Sequence, residues 1–163
     1  MTMQSGADAT FLLIVIGGQK LALNTIMIRE ILDPLPETRV PSARPFAAKV
    51  VNIRGTVVPL VTINEMLNLP PTERTHKSRI VVVNVTTPRG PVQIALAADA
   101  VLSVTSIKAG AIEPLSRVSQ NWPAEYLVGL YRDDDAFVIV PDLEQIISNN
   151  LAKRSEAQPV KGA

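Results

Sequence analysis

The chain has 163 residues, 47% of them hydrophobic, with a formal net charge of +1 and no cysteine. That length buries a real core, as one domain or as two small subdomains sharing an interior, while the lack of cysteine excludes a disulfide framework, thiolate metal sites and thiol catalysis. Lys and Arg are scattered rather than striped and aromatics make up only 4%, so neither phosphate neutralisation nor base stacking is expected, and nucleic acid is not an expected partner.

Residues 1–9 read as a flexible polar lead-in without Lys, Arg or a cleavage-site pattern. Phe11–Ile16 is apolar and rich in large and β-branched residues, far too short to cross a bilayer, and ends at Gly17-Gly18; it reads as a strand entering a hairpin that returns through Lys20–Leu23. Ile26–Leu32 mixes two alternating sets and leaves strand and helix both open. Pro34, Pro36, Pro41 and Pro45 make Asp33–Pro45 an extended connection. Ala47–Ile53 and Thr56–Ile63 flank the Asn52–Gly55 turn as a second hairpin, followed by a turn or two of helix at Asn64–Leu69 and a polar loop over 70–78. Arg79–Val85, a turn over Thr86–Pro91, Val92–Ala97 and Val101–Ile107 come next, then a long connection, Lys108–Trp122. A last hairpin, Leu127–Tyr131 and Ala136–Val140, is joined by Arg132–Asp135. Asp142 is placed to cap a helix whose Leu143, Ile146, Ile147 and Leu151 share one face, and the tail, 151–163, is expected to be flexible.

A pattern repeats along this order. Phe46–Leu67 and Tyr126–Ile147, offset by 80 residues, each run from an aromatic through a short apolar stretch, a polar turn and a second apolar stretch into a short amphipathic segment. Earlier, Ala22-Leu23 corresponds to Ala95-Leu96 at an offset of 73, which sets Ile28 over Val101 and Ile31 over Val104. Roughly ten short strands in two similar sets argue for an all-β chain of two small barrels with a groove between them.

Little here reads as a reactive centre. His76 is the one histidine and lies in the polar loop; Asp133-Asp134-Asp135 lacks the alternating spacing of a calcium loop and reads as a solvated turn; Gly17-Gly18 lacks what a phosphate-binding loop needs. No cofactor, metal or catalytic residue is expected. The informative turn is Asn52-Ile53-Arg54-Gly55, where Gly55 supplies positive φ and Asn52 can bond the local backbone. Arg54 is either an ordinary solvated arginine or a planar fork of donors offered to a partner. Glu30, isolated in an apolar run, either faces water or pairs with Arg29 or Arg54.

Arg29-Glu30-Ile31-Leu32, the proline-spaced linker, and Val51-Asn52-Ile53-Arg54-Gly55-Thr56-Val57-Val58-Pro59 together resemble the signature of CheW-like domains, with further matches at Arg79–Val83, Ala97–Val101 and Leu127–Leu143. The resemblance covers about residues 10–150. It implies two five-stranded SH3-like β-barrels around a shared core, with short helices including one near the C-terminus. It also implies a non-catalytic adaptor in the cytoplasm. Such an adaptor couples the cytoplasmic tips of methyl-accepting chemoreceptors, in membrane-bound arrays, to the regulatory domain of a CheA-type histidine kinase. On this sequence the receptor-binding residues would be Arg54, Glu30, Ile28, Val101 and Val104; the last three are equally read as core. Lys49 stands where the family usually has glycine, and would tune or bind the kinase side. Thr62 stands where the family has aspartate, while Gly129 and Asp142 keep both residues in the second repeat. The departures leave open a standard chemotaxis pathway or a paralogous one for twitching motility or surface sensing. A barrel pair that binds a small ligand is the reading from another class, and requires a cavity with convergent polar groups.

Overall fold

The computed structural model describes residues 8–41, 47–114 and 123–157, with side chains through residue 150. Among the described residues, twelve strands and one α-helix follow in chain order. The first set is β1 (Asp8–Ile16), β2 (Gln19–Asn24), β3 (Ile28–Leu32), β4 (Glu37–Arg39), β5 (Lys49–Ile53) and β6 (Thr56–Val61). The second is β7 (Arg79–Thr87), β8 (Gly90–Ala98), β9 (Ala100–Lys108), β10 (Ile112–Glu113), β11 (Leu127–Asp133) and β12 (Ala136–Pro141), closed by α1 (Leu143–Ala157).

The strands form two sheets of six, ordered β10-β11-β12-β2-β1-β9 and β3-β7-β8-β6-β5-β4. Each sheet takes strands from both halves of the chain. The pairing repeats in detail: Leu13 faces Ala22 as Val82 faces Ala95, and the parallel contact of β12 with β2 at Ile139–Leu21 has its counterpart in β6 with β8 at Leu60–Ala95. Even a β-bulge recurs. It falls between Ile28 and Glu30 on β3, and between Val101 and Ser103 on β9, so Arg29 and Leu102 are the inserted residues and Ile28 does correspond to Val101.

Burial explains why the long strands read as continuous apolar runs. On β1, Leu12, Ile14 and Ile16 enter a core shared by both sheets, while Phe11 and Leu13 fill the interior of their own sheet with Ala22, Ile107, Val138 and Val140. On β7, Val81, Val83 and Val85 enter the shared core, and Ile80 and Val82 pack with Val51, Ile53, Val58 and Leu60. A strand buried on both faces loses its polar alternation. The face of α1 carrying Leu143, Ile146 and Ile147 seals one side of the shared core.

Several boundaries differ from the sequence reading. β1 begins at Asp8, whose pairing with Lys108 orders two residues of the expected lead-in. Ile26–Leu32 is neither one strand nor a helix: a 3₁₀ turn over Thr25–Met27 precedes β3. Each sheet has one strand more than expected, because β4 lies inside the proline-rich linker and β10 inside the connection after Ile107; at three and two residues they are too short to show alternation. The helix continues through Ala157, into the segment expected to be flexible. The aromatic that opens the first repeat, Phe46, lies outside the described residues.

Candidate partner-binding surface

The surface is built around the β5–β6 hairpin. Cross-strand pairing closes at Ile53–Thr56, leaving Arg54 and Gly55 as a two-residue turn with φ of +50° and +86°. Two successive positive φ values match the right-handed strand twist. The Gly55 N–H donates to Asn52 Oδ1 at 2.8 Å and locks the turn. Arg54 is therefore pushed off the sheet, its side chain 67% exposed.

Glu30 meets it there. The Arg54 guanidinium donates to Glu30 Oε2 in an ion pair, so of the two partners the sequence left open for Glu30 the structure selects Arg54. In the sheet order three strands separate β3 from β5. Flat, they would lie about 19 Å apart, beyond the reach of these side chains, so the sheet must curl into a barrel-like wall. The Glu30 hydrogen bond and then its charge raise the Arg54 pKa above its already high ordinary value. One of five donors faces Glu30, and the rest of the fork is open to a partner. The second half has no such pair: the residues at these two places are Ser103 and Asp134.

The apolar candidates divide. Ile28 and Val101 are half-buried and pack against the shared core, one from each sheet, so they are rim residues of that core rather than free surface. Val104 is 61% exposed. Three exposed apolar residues beside them escaped the sequence reading as site residues: Ile26, Ile31 and Leu102. Ile26 is 91% exposed because the Asn24 side chain caps the 3₁₀ turn, accepting from the Ile26 N–H, and swings it outward. An isoleucine directly after Asn-Thr was the available signal. For Leu102 there was none, since the bulge breaks the alternation that would have assigned its face.

Lys49 lies away from the hairpin tip, on the β4–β5 edge. Its Nζ donates to Glu37 Oε1 at 3.0 Å, and Glu37 Oε2 accepts from Arg74 at 2.7 Å. Thr62 is exposed at the end of β6, whereas Asp142 accepts from the Gln145 N–H at 3.1 Å and caps α1. His76 is exposed in its loop, and Asp134-Asp135 form the β11–β12 turn. Among the described residues no helix is long and apolar enough to cross a membrane.

A family model described as the CheW-like domain matches residues 10–150. The chain belongs to the CheW-like family. Among its relatives, a probable chemotaxis protein CheW of Rhizobium etli is 27% identical over 133 residues, covering 82% of this chain and 83% of that one. The chemotaxis protein CheW of Thermotoga maritima is 28% identical over 135 residues, covering 83% and 85%. The crystal structure of the scaffolding protein TtCheW from Thermoanaerobacter tengcongensis superposes with a TM-score of 0.73 at 19% identity, covering 88% of this chain and 90% of that one. The two interleaved sheets are thus the CheW fold, and membership places the chain among chemotaxis coupling adaptors.

Proposed function

We propose that this chain is a non-catalytic adaptor that holds the cytoplasmic tip of a methyl-accepting chemoreceptor and the regulatory domain of a CheA-type histidine kinase at the same time. The observation that carries this reading is the CheW-like match across residues 10–150, on a fold that superposes with a solved CheW scaffold over nearly its whole length. A receptor tip is a helical hairpin, and a helix docks by laying apolar anchors into a groove. Here the anchors meet Ile28, Val101 and Val104, and Arg54, steadied by Glu30, sets register and orientation at the rim. Lys49, on a separate edge, belongs to the kinase side. Two partners on different faces are brought together by effective concentration and held in a fixed geometry, with no bond made or broken. The adaptor works in the cytoplasm, against membrane-bound receptor arrays.

Arg54→Glu tests the assignment. The variant should bind an immobilised receptor cytoplasmic fragment at least about tenfold more weakly, because the introduced carboxylate faces Glu30 and the partner alike, while still binding the kinase regulatory domain. Undiminished receptor binding would remove Arg54 from the interface.

A further inference from the structure

The two halves also differ at the strand position held by Gly129 in one and Lys49 in the other. In the second half, β10 presses onto β11 at Gly129: a Cβ there would meet the Glu113 carbonyl oxygen at 2.5 Å and Ile112 Cγ2 at 2.8 Å, so no side chain fits at that position. In the first half the corresponding residue is Lys49, and beside it, between the β4–β5 edge and the loop after the Glu65–Leu67 turn, lies a groove of about 580 Å³. That volume suits a small molecule.

The charge of the groove is biased. Arg39, Lys49, Arg74 and Arg79 line it, against the acids Glu37 and Glu65. Glu37 is shared by Lys49 and Arg74, and Arg79 leans 3.6 Å from Asp33. Arg39 has no ion pair among the described residues. It stands directly across the strand pair from Lys49, whose charge Glu37 already partners, so Arg39 is the lining cation left for an incoming anion. Hydroxyls complete the lining. The Thr72 oxygen already accepts from Asn64 Nδ2 at 3.1 Å, which leaves its O–H free to donate, and the Thr62 hydroxyl is exposed. At the matching places the second half carries Gly129 and Asp142 in place of Lys49 and Thr62, and the residue after β10 is Pro114 where β4 ends in Arg39. The cations at these two places, Arg39 and Lys49, are therefore particular to the first half.

We propose that this groove binds a small organic polyanion with clustered oxyanions, phosphoryl or carboxylate, held by Arg39 and Lys49 and by the hydroxyls of Thr62 and Thr72. The site is separate from the Arg54 hairpin but shares Lys49 with the edge proposed for the kinase, and its failure would leave the receptor-side reading of Arg54 untouched. The test is calorimetric titration of the full chain at low salt with two probes, inorganic pyrophosphate and citrate. At least one should bind saturably with a dissociation constant of about 1 mM or below, and the tighter of the two identifies the headgroup chemistry. Arg39→Gln, which removes a charge, and Thr62→Asp, which restores the residue type of the second half, should each weaken binding about tenfold or more. Arg89→Gln, in the distant β7–β8 turn, should leave it unchanged. No saturable binding of either probe, or equal binding by the Arg39 and Thr62 variants, would overturn the site.

Discussion

Arg54 and Asp134 stand at the tips of equivalent hairpins, and both take left-handed backbone, φ +50° and +54°. Left-handed backbone is unfavourable for a residue with a Cβ, and at Arg54 the Asn52 side chain and Gly55 hold the turn in place. The turn was legible because Asn and Gly bracket the arginine; the partnership with Glu30 was not, because it depends on the curl of a whole sheet. Gly129 shows the opposite use of glycine. Its φ is ordinary, and what it supplies is room for β10. Gly129→Ala should therefore cost about 1–3 kcal/mol through overpacking against backbone, read as a lower denaturation midpoint with an unchanged slope. A midpoint equal to that of the parent would mean that β10 can move aside freely.

The elements themselves were largely visible. Hairpins announced themselves through Gly17-Gly18, Arg54-Gly55 and Arg89-Gly90, and the long β-branched runs became strands within two or three residues of their expected limits. Facing was harder. Double burial erased alternation on β1 and β7, and the matching bulges at Arg29 and Leu102 shifted it on β3 and β9, so Ile28 and Val101 could be read either as rim or as core. The helix was clear from both ends of its first turn: Asp142 accepts from the Gln145 N–H, and Ile146 and Ile147 are fully buried. Asp142→Ala should cost about 1 kcal/mol by removing that cap, lowering the melting temperature by roughly 2–4 °C for a chain of this size. A variant that melts with the parent would show that packing of the apolar face alone holds the helix.

For the molecule as a whole, the repeat was the strongest signal, yet it did not reveal that each sheet borrows strands from the other half of the chain. The strands of the first half fill sheets that β7, β8 and β9 complete, and one core serves both sheets. The two faces proposed to meet partners are therefore joined through one packed core. That relation is the physical basis of the proposed coupling, in which a displacement at one face is carried to the other through packed side chains. A fixed geometry without turnover makes a distinctive prediction about stoichiometry. With receptor signalling domains in membranes and a CheA-type kinase at fixed concentrations, kinase autophosphorylation should come under receptor control only as this chain is added. Control should saturate near equimolar amounts, as expected for a bridge that occupies one place per complex. Receptor control established without the chain, or fully established by a trace of it, would contradict the account.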